Sequence, residues 1–289
     1  MILKIFILIA VFTLVFTYLI LYLNTHQPRY HLTTTPAELG IKFDEISLIT
    51  TDSIKLKGWF VAAQNHSSAP TIIIAHGLGA SKSDFVNLSG FLSSNGFNVL
   101  LFDFRAHGES EERSCSLGLK EQMDITAAVD YIISRADLKN KSIGLYGLSL
   151  GGAAGILTAS RDQRIKAIVA DTPFSSLNNI SADVIKRTYH LPSFPFIQLA
   201  NILYRLSFNG WIGQVTPSDV IHLISPRPIL LISSDIDEMT PLYHARELFS
   251  KAKDPKELWV IEGALHGGTI SIDPEKYNQK LLNFLNKAL

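Results

Sequence analysis

A chain of 289 residues is long enough for one large α/β domain or two small ones, and one domain carrying an insertion is the simpler organisation. Lys plus Arg and Asp plus Glu stand at 26 each, a balance that gives no electrostatic reason to expect nucleic acid as a partner. The single cysteine, Cys115, excludes an intramolecular disulfide and a cysteine-based zinc site.

From Ile5 to Leu23 there are about nineteen uncharged residues rich in Ile, Leu, Phe and Val, a length that crosses the hydrocarbon core of a bilayer. Tyr18 and Tyr22 stand where an interfacial aromatic belt would. The run is longer than a usual signal-peptide core and no A-x-A-like site follows it, so residues 1–25 read as an uncleaved, single-pass transmembrane anchor. Lys4 and the terminal amine before the span, with Arg29 after it, favour a cytoplasmic N-terminus and an extracytoplasmic domain. Residues 26–40, including Thr33-Thr34-Thr35-Pro36, read as a linker, because a polar, proline-ended stretch has little to bury.

The globular part, residues 41–289, opens with two predicted strands, Phe43 to Ile49 and Ile54 to Ala63, separated by the turn signal Thr51-Asp52-Ser53. Thr71 to Ala75 is a continuous apolar run, as expected of a strand buried on both faces of a parallel sheet. Helical periodicity follows in Phe85, Leu88 and Leu92, with Gly96 as the stop signal. Phe97 to Phe102 is the next strand, and Ile125, Ala128, Val129, Ile132 and Ile133 mark one face of the next helix. Further strands are expected at Ser142 to Tyr146, Ile165 to Ala170, Pro228 to Ile232 and Glu257 to Ile261, with helices begun at Thr240-Pro241 and Asp273-Pro274. Strand and helix alternate, which predicts an α/β fold: a mostly parallel, eight-stranded sheet with helices on both faces. Between Thr172 and Arg227 the alternation stops, and a stretch rich in Phe, Ile, Leu and Trp suggests a helical lid over the strand ends.

Chemistry concentrates at Gly147-Leu148-Ser149-Leu150-Gly151, where a serine sits between glycines at the end of a predicted strand. A sharp strand-to-helix turn needs residues without bulk on either side of an exposed nucleophile. An acyl-transfer serine needs a general base, and His266, on a glycine-rich loop after the last strand, is the best placed candidate. His190, His222 and His244 have weaker claims, and His76 reads as a loop-shaping residue. The base needs an orienting carboxylate, for which Asp237, after the strand Pro228 to Ile232, is preferred over Asp235, Glu238 and Asp171. For the oxyanion, the N–H of Leu150 is a natural donor, and His76-Gly77-Leu78-Gly79 permits a second from Leu78.

In order, His76-Gly77, Asp103-Phe104-Arg105-Ala106-His107-Gly108-Glu109-Ser110, the Ser149 pentapeptide, Asp237 with Pro241, and His266 resemble the signposts of the α/β-hydrolase superfamily. The anchor, the Thr35-Pro36-Ala37-Glu38-Leu39-Gly40 lead-in and Gly58-Trp59 are similar to its Bem46-like and serine-aminopeptidase-like branch. This resemblance covers roughly residues 36–289 and implies esterases, thioesterases and peptidase-like enzymes alike. Ala106 departs from the Arg-Gly-His-Gly stretch usual there.

The expected activity is therefore a membrane-anchored serine hydrolase acting on a small or lipid-like ester or thioester, with no metal or organic cofactor. A peptidase-like hydrolase is the alternative enzyme, and a catalytically silent binding module the alternative of another class. A nicotinamide-dependent dehydrogenase is excluded by the missing phosphate-cradling glycine turn.

Overall fold

A computed structural model describes residues 1–29 and 34–289. Ile2–Thr25 form α1, whose 24 residues give a rod about 36 Å long. The first two strands, β1 (Asp44–Ile49) and β2 (Lys55–Val61), pair as an antiparallel hairpin. Strand and helix then alternate as expected: β3 (Thr71–Ala75), α2 (Val86–Ser94), β4 (Asn98–Phe102), α3 (Glu121–Ser134), β5 (Ile143–Leu148), α4 (Leu150–Ala159) and β6 (Ile165–Asp171). The stretch after β6 is helical, with α5 (Leu177–Tyr189), α6 (Phe196–Phe208) and the short α7 (Pro217–Val220). The chain closes with β7 (Ile229–Ser234), α8 (Tyr243–Lys251), β8 (Lys256–Ile261), α9 (Thr269–Ile272) and α10 (Pro274–Ala288).

The eight strands form one sheet in the order β1-β2-β4-β3-β5-β6-β7-β8. β2 runs antiparallel to both its neighbours, and every later pairing is parallel. This is the mostly parallel α/β sheet predicted from the alternation, and the α/β-hydrolase fold that the resemblance implies. Side chains alternate across the sheet, so Ile73, Leu145 and Ile168 enter one core with α3, α4 and α8. Ile72, Ile74, Tyr146 and Val169 enter the other with α2 and α10.

Register brings the strand ends level, since Ala75 lies beside Gly147, Leu148 beside Asp171, and Ser234 beside Ile261. The loops that follow these residues therefore open at one edge, where ligands bind in sheets of this kind. Several boundaries shift by a residue or two, and one helix start has a clear cause. The helix foreseen at Thr240-Pro241 starts at Tyr243, because Met239 and Thr240 donate their N–H groups to Asp237 Oδ1 and hold that stretch as a turn.

A third apolar cluster lies above the edge and joins Leu150, Ala153 and Leu157 of α4 to Phe174, Leu177, Tyr204 and Phe208 of the insertion. The C-terminal half of α1 packs on this layer. Phe16 meets Tyr189 and Phe196 edge-on, with centroids 5.2 and 6.0 Å away, and Thr17 and Thr25 are buried. The Cys115 N–H donates to the Thr25 carbonyl at 2.7 Å. The expected linker falls partly on residues 30–33, outside the described residues. On one side of them Arg29 donates to the Ser110 carbonyl at 2.6 Å and to that of Glu112, and on the other Pro36–Leu39 make a single 3-10 turn.

Candidate active site

The serine turn is built by the absence of side chains around it. A Cβ on Gly151 would lie 2.1 Å from the Ala75 carbonyl oxygen, and one on Gly147 would lie 2.4 Å from the Gly151 carbonyl. Both distances are far inside van der Waals contact, so β5, α4 and β3 approach this closely only around glycine. Ser149 itself takes φ +51° and ψ −110°, a backbone shape costly for a residue with a Cβ. Its N–H donates to the Asp171 carbonyl at 2.7 Å, which ties the turn to β6.

The structure brings Ser149, His266 and Asp237 together from three loops. Ser149 Oγ lies 2.9 Å from His266 Nε2, and His266 Nδ1 lies 2.7 Å from Asp237 Oδ2. A carboxylate only accepts, so Nδ1 carries the proton and Nε2 faces the serine with a free lone pair. Burial pushes the Asp237 carboxyl up, but the bond from His266 and those from the Thr240 N–H and hydroxyl outweigh it and hold its pKa below the usual range. Thr240 was not foreseen. Its hydroxyl donates to Asp237 Oδ2 at 2.8 Å and stands 3.2 Å from His266 Nδ1. Threonine three residues after the acid is a compact local signal, but only for a reader who has already chosen Asp237.

The loop after β3 passes beside the serine, with the Gly77 Cβ position 3.5 Å from Ser149 Cβ. Leu78 lies on this loop and Leu150 opens α4, and both border the same cavity as Ser149 and His266. Among the described residues, neither the Leu78 nor the Leu150 N–H donates to a protein acceptor. His76 shapes the loop as expected: Nδ1–H donates to the Gly77 carbonyl at 2.7 Å and Nε2 accepts the Phe104 N–H at 2.9 Å.

The rival residues have other partners. His244 is buried, accepts from Ser175 and donates to Asp183 at 3.1 Å. His190 caps α5 at φ +54°, and His222 sits in a 3-10 turn. Asp235 accepts the Gly263 N–H at 2.8 Å, which fixes the loop after β8, and Glu238 is exposed. Asp171 takes hydroxyl protons from Tyr277 and Thr269, each at 2.6 Å, behind the serine turn; burial raises its pKa against these bonds. Cys115 is buried. The alanine that departs from the hydrolase pattern, Ala106, has φ +63°, a left-handed shape that explains why glycine is usual there.

A cavity of about 450 Å³ opens over Ser149 and His266. It has three walls: the strand-edge loops, α5 and α6 of the insertion, and the inner face of α1 through Thr17, Ile20, Leu21 and Asn24. Apart from His266 and the phenol of Tyr204, no ionisable acid or base lines it among the described residues.

Residues 70–192 match a family model described as alpha/beta hydrolase fold. Protein YqkD of Bacillus subtilis is 28% identical over 233 residues, covering 80% of this chain and 75% of its own. Protein bem46 of Schizosaccharomyces pombe is 27% identical over 210 residues, 72% of this chain and 64% of its own. Among solved structures, the Pyrococcus furiosus esterase Pf2001 superposes with a TM-score of 0.75 at 29% identity, over 91% of this chain and 99% of that one.

Proposed function

We propose that this member of the α/β-hydrolase superfamily is a serine hydrolase that cleaves carboxylic esters or thioesters through an acyl-enzyme on Ser149. The observation that carries the reading is the relay of 2.9 and 2.7 Å from Ser149 Oγ through His266 to Asp237. Likeness to an esterase over nearly its whole length supports the same reaction class.

In the first half-reaction Ser149 Oγ attacks the substrate carbonyl as its proton passes to His266 Nε2, and Asp237 stabilises the imidazolium that forms. The carbonyl oxygen becomes an oxyanion held by the N–H groups of Leu78 and Leu150. Collapse breaks the bond to the leaving alcohol or thiol, which departs with the proton from His266. Water then gives a proton to His266, attacks the acyl-serine, and releases a carboxylic acid as the proton returns to Ser149. This cycle calls on no metal or organic cofactor.

In this reading the insertion is a lid, α1 is the membrane anchor, and the domain stands on the extracytoplasmic side. The cavity supports an acyl substrate over a peptide, since among the described residues no Asp, Glu, Lys or Arg lines it to hold a peptide terminus. Fluorophosphonate labelling tests the reaction. Labelling and p-nitrophenyl ester turnover that vanish in Ser149→Ala are expected; equal labelling in both proteins, or no Ser149-dependent turnover of any ester, overturns the proposal.

A further inference from the structure

A helix that served only as an anchor would touch its domain at the connection and nowhere else. Here α1 enters the walls of the site. Thr17, Ile20, Leu21 and Asn24 follow the i, i+3, i+4, i+7 spacing that places side chains on one helical face, and all four border the cavity that contains Ser149 and His266. Phe16, one residue before this face, packs on α5 and α6, and Leu21 joins the apolar cluster below them. Without α1 the cavity would lack a side.

Length adds a second argument. Residues Ile2 to Val15, the part before the Phe16 packing, rise about 21 Å, whereas the hydrocarbon core of a bilayer is about 30 Å thick. If α1 crosses the bilayer, its packed half lies partly within the apolar layer and takes the insertion with it. The insertion suits that position. Leu206 and Phe194 are 79% and 72% exposed, and no Asp or Glu occurs from residue 184 to residue 218.

We propose that the inner face of α1, through Thr17, Ile20, Leu21 and Asn24, is the acyl-chain wall of the Ser149 site, and that the ligand it selects is a long acyl chain of a membrane lipid. The inference rests on the reaction proposed above for its chemistry, but the chain-binding wall is a separate claim with a separate measurement. The anchor is thus part of the specificity pocket, and its removal would open the site.

Equilibrium binding of a fluorescent lauric-acid analogue to the detergent-solubilised full chain, corrected for partition into empty micelles, tests it. The native chain should bind the analogue. Ile20→Trp and Leu21→Trp, which fill the groove, should each weaken binding about tenfold or more. Leu19→Trp, on the exposed side of the helix, should not. Absence of binding to the native chain, native affinity in both inner-face variants, or an equal loss in Leu19→Trp overturns the inference. Should Ile20→Trp fail to fold, Leu21→Trp together with the cavity-enlarging Ile20→Ala decides it, since native affinity in both overturns it as well. Binding without Ser149-dependent turnover overturns the reaction and leaves the chain-binding wall standing.

Discussion

The imidazole of His107 holds the Gly79 N–H on its Nε2 at 3.1 Å, while its Nδ1–H donates to the Arg105 carbonyl at 2.9 Å. Gly79 is the neighbour of Leu78, so this ring clamps the loop that carries one proposed oxyanion donor. His107→Ala should lower kcat about ten- to a hundredfold, below the effect of deleting a donor outright, with KM changed far less. Steady-state kinetics on a p-nitrophenyl ester, together with a melting curve to confirm folding, checks this.

His107 also sets an expectation for pH. Burial lowers its pKa beneath the ordinary 6.5, and burial lowers that of His76 further. The unfolded chain takes up a proton near 6.5 and the folded chain does not, so the stability these neutral rings confer is whole above that pH and falls away below it. Replacing one ring by glutamine removes its titration. The gap in melting temperature between the native chain and His107→Gln should therefore narrow as pH is lowered from about 7.5 to about 5.5. A gap that widens on acidification would contradict the neutral assignment.

Asp237 and Thr240 should differ in weight. Asp237→Asn keeps the shape but presents the wrong partner to His266 Nδ1, and a loss of about ten-thousandfold in kcat is expected from such a tautomer error. Thr240→Val removes one hydroxyl bond to Asp237 and leaves two N–H groups on the carboxylate, so a loss of about tenfold or less is expected. The ratio of the two, measured on one substrate, separates the acid from its support.

Gly151 and Gly213 give a matched pair for stability. Gly151→Ala forces a methyl against the Ala75 carbonyl at 2.1 Å and should cost at least about 2 kcal/mol or prevent folding. At Gly213 the nearest atom to a new Cβ is 3.8 Å away, and Gly213→Ala should melt within a few degrees of the native chain. Thermal unfolding of both variants is sufficient.

Much of this arrangement was legible before any coordinates. Strand runs such as Thr71 to Ala75 announce themselves because a strand buried on both faces has no polar position to interrupt it. The meeting of Ser149 and His266 was legible because the loops after parallel strands converge at one edge, and local glycine marks the turn. Asp237 needed a choice among three acids in four residues, and burial made the difference: Asp235 and Glu238 face solvent. The His107 clamp was hidden, since its partner lies 28 residues away and pairs through the backbone, which has no letter in the sequence. The inner face of α1 was hidden for another reason. A helix apolar on every side has no stripe to show which side packs on the domain.

The order of these parts along the chain has a consequence in time. α1 precedes every strand, Ser149 follows the fifth, and His266, 117 residues later, follows the last. A growing chain thus holds its N-terminal apolar helix and its proposed nucleophile long before its proposed base has been made. Until β8 is laid against β7 and the loop beyond it closes, Ser149 lacks His266, its proposed base. In the proposed reaction the unfinished chain is therefore inert toward any ester it meets during synthesis.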